Sequence, residues 1–449
     1  MPKTPESAAR PQLRLTGLEW LICAVAAIGF LFDTYELLML PLVGPPALTE
    51  LLGVKPGSPE MNVWMGRLFY LPAIFGATFG LLGGWLTDRF GRRRVLVWSI
   101  LLYAVGALAS AFATSPGQLL VLRCLVFVGV CVEFVAGTAW LAELFTDPAR
   151  RERVLGYTQA FSSLGGVLVA WIYGVLVRHA DALPPILGEH AAWRYTLVSG
   201  LIPALPLLIV RPWLPESPAW KERKEAGTLT RPRLSALFSP ELRRTTIVTT
   251  VLVAASYALA YGAIQQASRI VPGLDDVHGL ARPAQQQVVA ATQKLHEVGG
   301  LLGRILLAVL AVRIASRRGL LRVFQVPALI VFPLLFWNAM GLDSEAFRWG
   351  LFLCGFAAVG QFSFWGNYLP RAYPTHLRGT GESFAANVGG RLIGTSAAWI
   401  SVNLANSLTA ASPAAALAKA SAIVAFAAAV IGIVVSFALP EPRQADLPG

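Results

Sequence analysis

Apolar stretches of about 20 residues recur along the whole chain, each long enough to cross a bilayer core of ~30 Å. In hydrocarbon the backbone must satisfy its own hydrogen bonds, so spans of this kind are helical. The chain has 449 residues, of which 14% are charged, against about 25% in a soluble domain. Twelve spans are expected, near 17–41, 63–86, 94–113, 118–144, 154–177, 193–213, 245–267, 287–313, 321–341, 347–369, 380–405 and 415–438. The fold class is therefore an all-α integral membrane protein with twelve transmembrane helices. A Pro- and charge-rich linker, 214–244, divides them into two six-helix bundles, 1–213 and 245–449. Two such halves around a midplane site are an architecture of alternating-access transporters.

The cations fall in alternate loops. One set holds Arg89, Arg92, Arg93, Arg94, Arg150, Arg151, Arg153, Arg313, Arg317, Arg318, Arg322, Arg371 and Arg378. The opposite set holds Asp275, Asp276, Asp343, Glu345 and few cations. This bias places the Arg-rich loops and both termini in the cytoplasm, in a plasma (inner) membrane. The net charge of +12 is thus topological, with no continuous basic face for nucleic acid. Cys23, Cys124, Cys131 and Cys354 lie in apolar segments without metal-ligand spacing. The N-terminal apolar run holds Asp33 and Glu36 and lacks a small-residue cleavage site, so it reads as a retained helix. There is no P-loop and no nucleophile–base or metal constellation. The expected partners are a small-molecule substrate, a proton and the lipid bilayer, with no cofactor and a functional monomer.

A charge in the hydrocarbon costs several kcal/mol unless it faces a cavity or a partner. The candidates are Asp33 and Glu36 in span 1, Arg67 in span 2, Arg123 and Glu133 in span 4, Lys294, His296, Glu297 and Arg304 in span 8, and Arg391 in span 11. Asp33 lies roughly 12 Å below the outer end of its span, and Arg123 roughly 8 Å from the same side. The depths pair Asp33 with Arg123, and Glu36 with Arg67.

Several motifs then line up. Gly84-Trp85-Leu86-Thr87-Asp88-Arg89-Phe90-Gly91-Arg92-Arg93-Arg94 forms the loop between spans 2 and 3. Phe32-Asp33-Thr34 lies in span 1, Glu143 ends span 4 ahead of Arg150 and Arg153, and Leu214-Pro215-Glu216-Ser217-Pro218 follows span 6. Tyr373-Pro374-Thr375-His376-Leu377-Arg378-Gly379-Thr380-Gly381 follows span 10. Together they resemble the major facilitator superfamily, specifically its sugar-porter and metabolite:proton symporter branch. The resemblance implies that Asp33 carries the coupling proton with Arg123 as its modulator; Glu36, Glu133 and Glu297 are further proton-coupling candidates. It also implies a cytoplasmic gate of Asp88, Arg89, Arg93, Glu143, Arg153 and Glu216. The chain departs from the branch in its second half. Ser316-Arg317-Arg318-Gly319 lacks the Asp, and Arg371 stands where an acid is usual. Gln265-Gln266 comes too late in span 7 to match the sugar porters' pair, and reads as solvated helix-end groups.

Substrate-binding candidates are the polar and aromatic residues expected near the midplane: Gln159, Tyr257, Tyr261, Trp365, Asn367, Asn387 and Arg391. Trp365 faces either the cavity or lipid. A cation in the cavity suits a carboxylate, though Glu297 could neutralise Arg391 or Arg304. Gly76, Gly80, Gly83, Gly84, Gly389, Gly390 and Gly394 are expected to bring spans 2 and 11 together. The reading is a secondary active transporter, a proton symporter of a small polar metabolite with an organic acid favoured. A sugar or polyol symporter and a proton-driven exporter of drugs or metabolites are the alternatives.

Overall fold

The computed structural model describes residues 15–145, 150, 154, 158, 161–227, 233–374 and 377–441. The described residues form twelve helical spans. In the first half α1 is Gly17–Leu52, α2 Pro59–Phe90, α3 Arg92–Ser110 and α4 Pro116–Leu144. Next come α5, Ser162–His179, and α6, formed by Ala192–Ser199 and Leu201–Val210. In the second half α7 is Arg243–Gly262, α8 Arg282–Arg313, α9 Arg317–Trp337 and α10 Ser344–Ala372. The last two are α11, built from Arg378–Phe384, Ala385–Gly394 and Ala397–Ser407, and α12, Pro413–Ser436. Among the described residues, nine helices are long and apolar enough to cross a membrane. α8, α10 and α11 fall outside that set, and α8 and α11 carry ionisable residues.

Local chemistry sets the helix starts. α2, α4 and α12 each begin at a Ser-Pro pair: Ser58, Ser115 and Ser412 accept from a backbone N–H one turn on. The following prolines supply the fixed φ of the first helical position. Thr16 and Glu19 close a capping box on α1. That helix passes through Pro41, Pro45 and Pro46 to Leu52, beyond the expected end at 41. Neighbouring spans satisfy a proline-interrupted helix in a membrane, so these prolines do not end it. At its end Gly53 takes the left-handed conformation, φ 66°, that glycine adopts freely.

In the first half α2 and α3 pack on α4, and α1 on α5; in the second α8 packs on α10, α9 on α12, and α7 on α11 and α12. The halves meet along α2–α11 and α5–α8. The glycines divide their work differently from expectation. Only Gly80 of the expected set faces the other half, where a methyl group would press on Asn387. Gly76 and Gly83 admit α4, and Gly389, Gly390 and Gly394 admit α7; the side of Gly84 lies outside the description. Gly66, against Trp399, and Gly166, against Glu297, also serve the contact between halves. Large apolar side chains such as Ile202, Ile209, Trp213, Leu334 and Val434 stay exposed, on faces that lipid rather than water solvates.

Candidate functional site

α1 carries Asp33 and Glu36 one turn apart, and both are buried, as are Arg123 and Glu133 of α4. Arg123 does not pair with Asp33. Its Nη1 lies 3.9 Å from Glu36 Oε2, and both Nη groups donate to the Glu36 carbonyl at 3.4 and 3.3 Å. Glu36 does not pair with Arg67 either: Arg67 is exposed, with its guanidinium 4.9 Å from the Trp64 ring. Axial depth alone led to both mispairings. Three residues along a helix also turn the side chain by roughly 60°, and that rotation presents Glu36, not Asp33, to Arg123.

Asp33 instead sits in the field of Glu133, Arg391 and Arg211. Both its oxygens are buried and accept from no N–H or O–H donor, and the Glu133 carboxyl lies within hydrogen-bonding reach. Arg211 Nη1 approaches Glu133 Oε1 to 2.6 Å, with 4% and 1% of the two side chains exposed. Gly29 on α1 makes this possible, since a Cβ there would collide with Arg211 and Glu133. Arg211 escaped the sequence reading because it follows α6 and looks like the first cation of the linker. Its companions Pro212 and Trp213 give no sign that its side chain turns inward.

On α11 the Thr395 N–H bonds to the Gly390 carbonyl at 3.0 Å, five residues back. This widened, π-helical stretch runs over Ala385–Gly394. Such turns are rare and concentrate at functional sites. Arg391 and Asn387 lie within it: Arg391 Nη1 donates to Asn387 Oδ1 at 2.8 Å, and Asn387 Nδ2 donates to Ser383. The Arg391 guanidinium stands 5.4 Å from the Phe134 ring of α4, so it reaches across to the first half. Among the described residues no carboxylate forms an ion pair with it.

Tyr257 and Tyr261 of α7 stack at 5.9 Å, and Tyr261 meets Phe69 of α2 edge-on at 6.2 Å. Trp365 is buried and donates from Nε1 to Ser256 Oγ at 3.2 Å, so it does not face lipid. Glu297 accepts from Gln293 at 2.9 Å and lies 3.1 Å from His296 Nδ1. It forms no ion pair with Arg304, which donates to Ser162 of α5 at 3.1 Å, or with Arg391. Lys294 is exposed. Gln159 and Arg153 lie outside the described residues, as do the side chains of Asn367 and Asp88. Gln265 and Gln266 are buried, not solvated, because the short pieces after α7 pack against α1, α8, α10 and α12.

The cytoplasmic gate candidates gather where α3 begins. Glu216 accepts from the backbone N–H groups of Arg92 and Arg93 at 3.1 and 3.2 Å, and from that of Ser217 at 3.0 Å. It thus occupies the electropositive start of α3. Arg93 Nη1 donates to the Leu214 carbonyl at 3.2 Å. Arg92 takes Glu143, at 2.7 Å. Arg89 is exposed, against the Phe90 ring. The second half repeats this arrangement with different residues. Glu441 after α12 accepts from the N–H groups of Arg317 and Arg318 at 2.9 and 3.0 Å and from Ser316 Oγ at 2.8 Å. Arg318 Nε donates to the Leu439 carbonyl at 2.6 Å. Trp140 anchors the Pro215 carbonyl and Tyr368 the Pro440 carbonyl. Leu214-Pro215-Glu216 and Leu439-Pro440-Glu441 are therefore equivalent. The second copy stands in the sequence and is the signal that would have found this clasp. Burial pushes the Glu441 carboxyl up, but the Arg318 and Arg317 amides, the Ser316 hydroxyl and the Arg318 charge outweigh it and hold it below its ordinary value.

The sequence profile of the Major Facilitator Superfamily matches residues 25–398. The "Probable 4-methylmuconolactone transporter" of Cupriavidus pinatubonensis (strain JMP 134 / LMG 1197) is 30% identical over 424 residues, covering 92% of this chain and 89% of that protein. The sialic acid transporter of Escherichia coli (strain K12) is 23% identical over 365 residues, 81% and 82% of the two chains. Among solved structures, a D-xylose-proton symporter superposes with a TM-score of 0.72 at 19% identity, over 95% of this chain and 99% of that one.

Proposed function

The chain belongs to the Major Facilitator Superfamily, a family of membrane transporters and not enzymes, and from that premise we propose that it imports an organic acid together with protons. The observation that carries this reading is the pairing pattern in the middle of the bundle. Asp33 is a buried carboxylate that accepts from no N–H or O–H donor on either oxygen, next to a cation, Arg211, that is already engaged by Glu133. Such a group is poised to take a proton and to give it up when its surroundings change. Arg391 supplies the complement. It is a buried guanidinium on a widened helical turn, held by an amide and an aromatic face instead of a carboxylate, and its two-pronged geometry suits a substrate carboxylate. Tyr257 and Tyr261 offer it a flat apolar wall.

The named relatives support the same class. Muconolactones carry a carboxymethyl group on an unsaturated lactone ring, and sialic acids are carboxylates. A sugar is the second reading, favoured by the fold shared with the xylose symporter and by the neutral Trp365–Ser256–Gln361 group.

In this reading Arg123 and Glu36 form a static pair that positions α1 against α4, while Glu133 and Arg211 bias Asp33. Glu297 with His296 is the corresponding buried acid at the α5–α8 contact. The clasps at Glu216 and Glu441 hold the cytoplasmic face, with Arg89, Arg93, Glu143, Arg153 and Asp88 around the first. The halves are 1–213 and 245–449, joined by 214–244. The protein works as a monomer in the inner membrane, surrounded by lipid, with both termini cytoplasmic.

The test is external pH, recorded on de-energised cells expressing the protein, while carboxylates and sugars are added singly. Alkalinisation with carboxylates, absent in non-expressing cells, is the expected result. Alkalinisation with sugars alone would replace the organic acid by a sugar. Silence across the panel, with the protein confirmed at the surface, would overturn proton symport of either class.

A further inference from the structure

Beyond Gly262 the chain of α7 breaks into two short helical pieces, Ile264–Gln266 and Ala267–Ile270. They lie at the end of the molecule opposite the clasps, where α2 begins and α11 ends. Arg269 stands on the second piece with 9% of its surface exposed. Its Nη1 donates to Asn62 Oδ1 of α2 at 2.9 Å, and Asn62 in turn donates to Asn406 Oδ1 of α11 at 3.1 Å. Its Nη2 donates to Gln266 Oε1. Among the described residues no carboxylate pairs with Arg269, and its Nε has no partner. Gln265 Oε1 and Ser268 Oγ are buried and unpartnered as well.

A guanidinium removed from water normally has an anion beside it, because neutral amides compensate only part of the lost hydration. Nothing within the described protein supplies that anion. The Nε–H is buried without a partner, and the edge that it shares with Nη2 matches a carboxylate. Arg269 also bridges the two halves, since it belongs to the second and Asn62 to the first.

We propose that Arg269 is an anion-docking site at the mouth of the transport path, taking the carboxylate of the incoming substrate ahead of Arg391. The proposal rests on the organic-acid reading above. The carboxylate accepts from Nε–H and Nη2–H, which share one edge of the guanidinium, and displaces the Gln266 amide from Nη2. A charge-assisted pair is stronger than the amide contact that it replaces. Arrival of the anion therefore frees Gln266 and leaves Nη1 on Asn62, so the carboxylate lands beside the link between the halves. Arg391, which like Arg269 is a buried cation without an ion pair among the described residues, lies further along the path and receives the same group next.

The experiment uses the full chain in lipid nanodiscs and follows thermal stabilisation by 4-methylmuconolactone, benzoate and succinate. The methyl ester of the first serves as its uncharged control. Wild type should be stabilised by at least one acid and much less by the ester. Arg269→Gln should raise the half-saturating acid concentration about tenfold or more, the loss expected for a hydrogen-bonded charge, with no change for the ester. Arg269→Lys keeps the charge without the fork and should fall between the two; it also serves if the Gln variant does not fold. Equal half-saturation in wild type and both variants overturns the Arg269 site and leaves the organic-acid reading standing. No stabilisation of wild type by any of the acids overturns both.

Discussion

Removing the Arg211 cation tests the buried network most directly. The Arg211–Glu133 contact is 2.6 Å long between side chains that are almost wholly buried. Arg211→Met keeps much of the side-chain volume but leaves Glu133 without its cation, beside the carboxylate of Asp33. Breaking a buried pair from one side costs about 3–5 kcal/mol, because an uncompensated charge stays behind. Removing both partners, Arg211→Met with Glu133→Leu, should be close to neutral, since apolar replacements of a buried pair escape the desolvation of two ions. The coupling between the two positions should then be ~3 kcal/mol or more. Glu133→Leu alone should cost less, about 1–3 kcal/mol, because Arg211 retains Asp33 as a nearby carboxylate. Unfolding by SDS in mixed micelles, followed by the fluorescence of the 13 tryptophans, measures all four proteins. Additive losses, with the double variant as unstable as the sum of the singles, would show that Arg211 and Glu133 do not act as a pair.

Asp33→Asn should abolish uphill accumulation of substrate in energised cells while preserving exchange across proteoliposomes; wild-type accumulation would remove Asp33 from proton coupling. Gly29→Ala should destabilise by about 1–3 kcal/mol, the usual cost of overpacking a tight site, because its methyl group meets Arg211 and Glu133; the Arg211→Met background should relieve most of that loss. Glu441 is held below its ordinary value, so the stability it adds is complete above the usual glutamate pKa of about 4.3 and fades as pH falls through its lower folded value. Glu441→Gln should accordingly melt earlier than wild type at pH 7, and the two melting curves should converge in acid. A gap that widens in acid would contradict the clasp.

Much of the architecture was legible in the sequence because membrane physics is mostly one-dimensional. Twelve apolar runs follow from composition along the chain. So did most of the list of buried ionisable residues, although Arg67 and Lys294 of that list are exposed. Asp33, Glu36, Arg123, Glu133, Glu297 and Arg391 are all buried, since hydrocarbon forces a charge to turn inward. Partners were not legible. Depth follows from counting residues at about 1.5 Å each, whereas azimuth depends on how each helix rolls against its neighbours. That roll gave Arg123 to Glu36 and left Arg67 outside.

The second clasp was written in Leu439-Pro440-Glu441, yet its meaning rests on α12 ending beside the start of α9. The inward turn of Arg211 depended on the space left by Gly29, a contact between α1 and the end of α6 that no local pattern announces. Likewise Gln265 and Gln266 read as polar residues at a helix end, and only the packing of the chain after α7 against α1, α8, α10 and α12 buries them. The sequence by itself determined which groups must leave water. The tertiary structure decided which of them meet, because a pairing distance of a few ångströms is set by helix rotation and by the small residues that let helices approach.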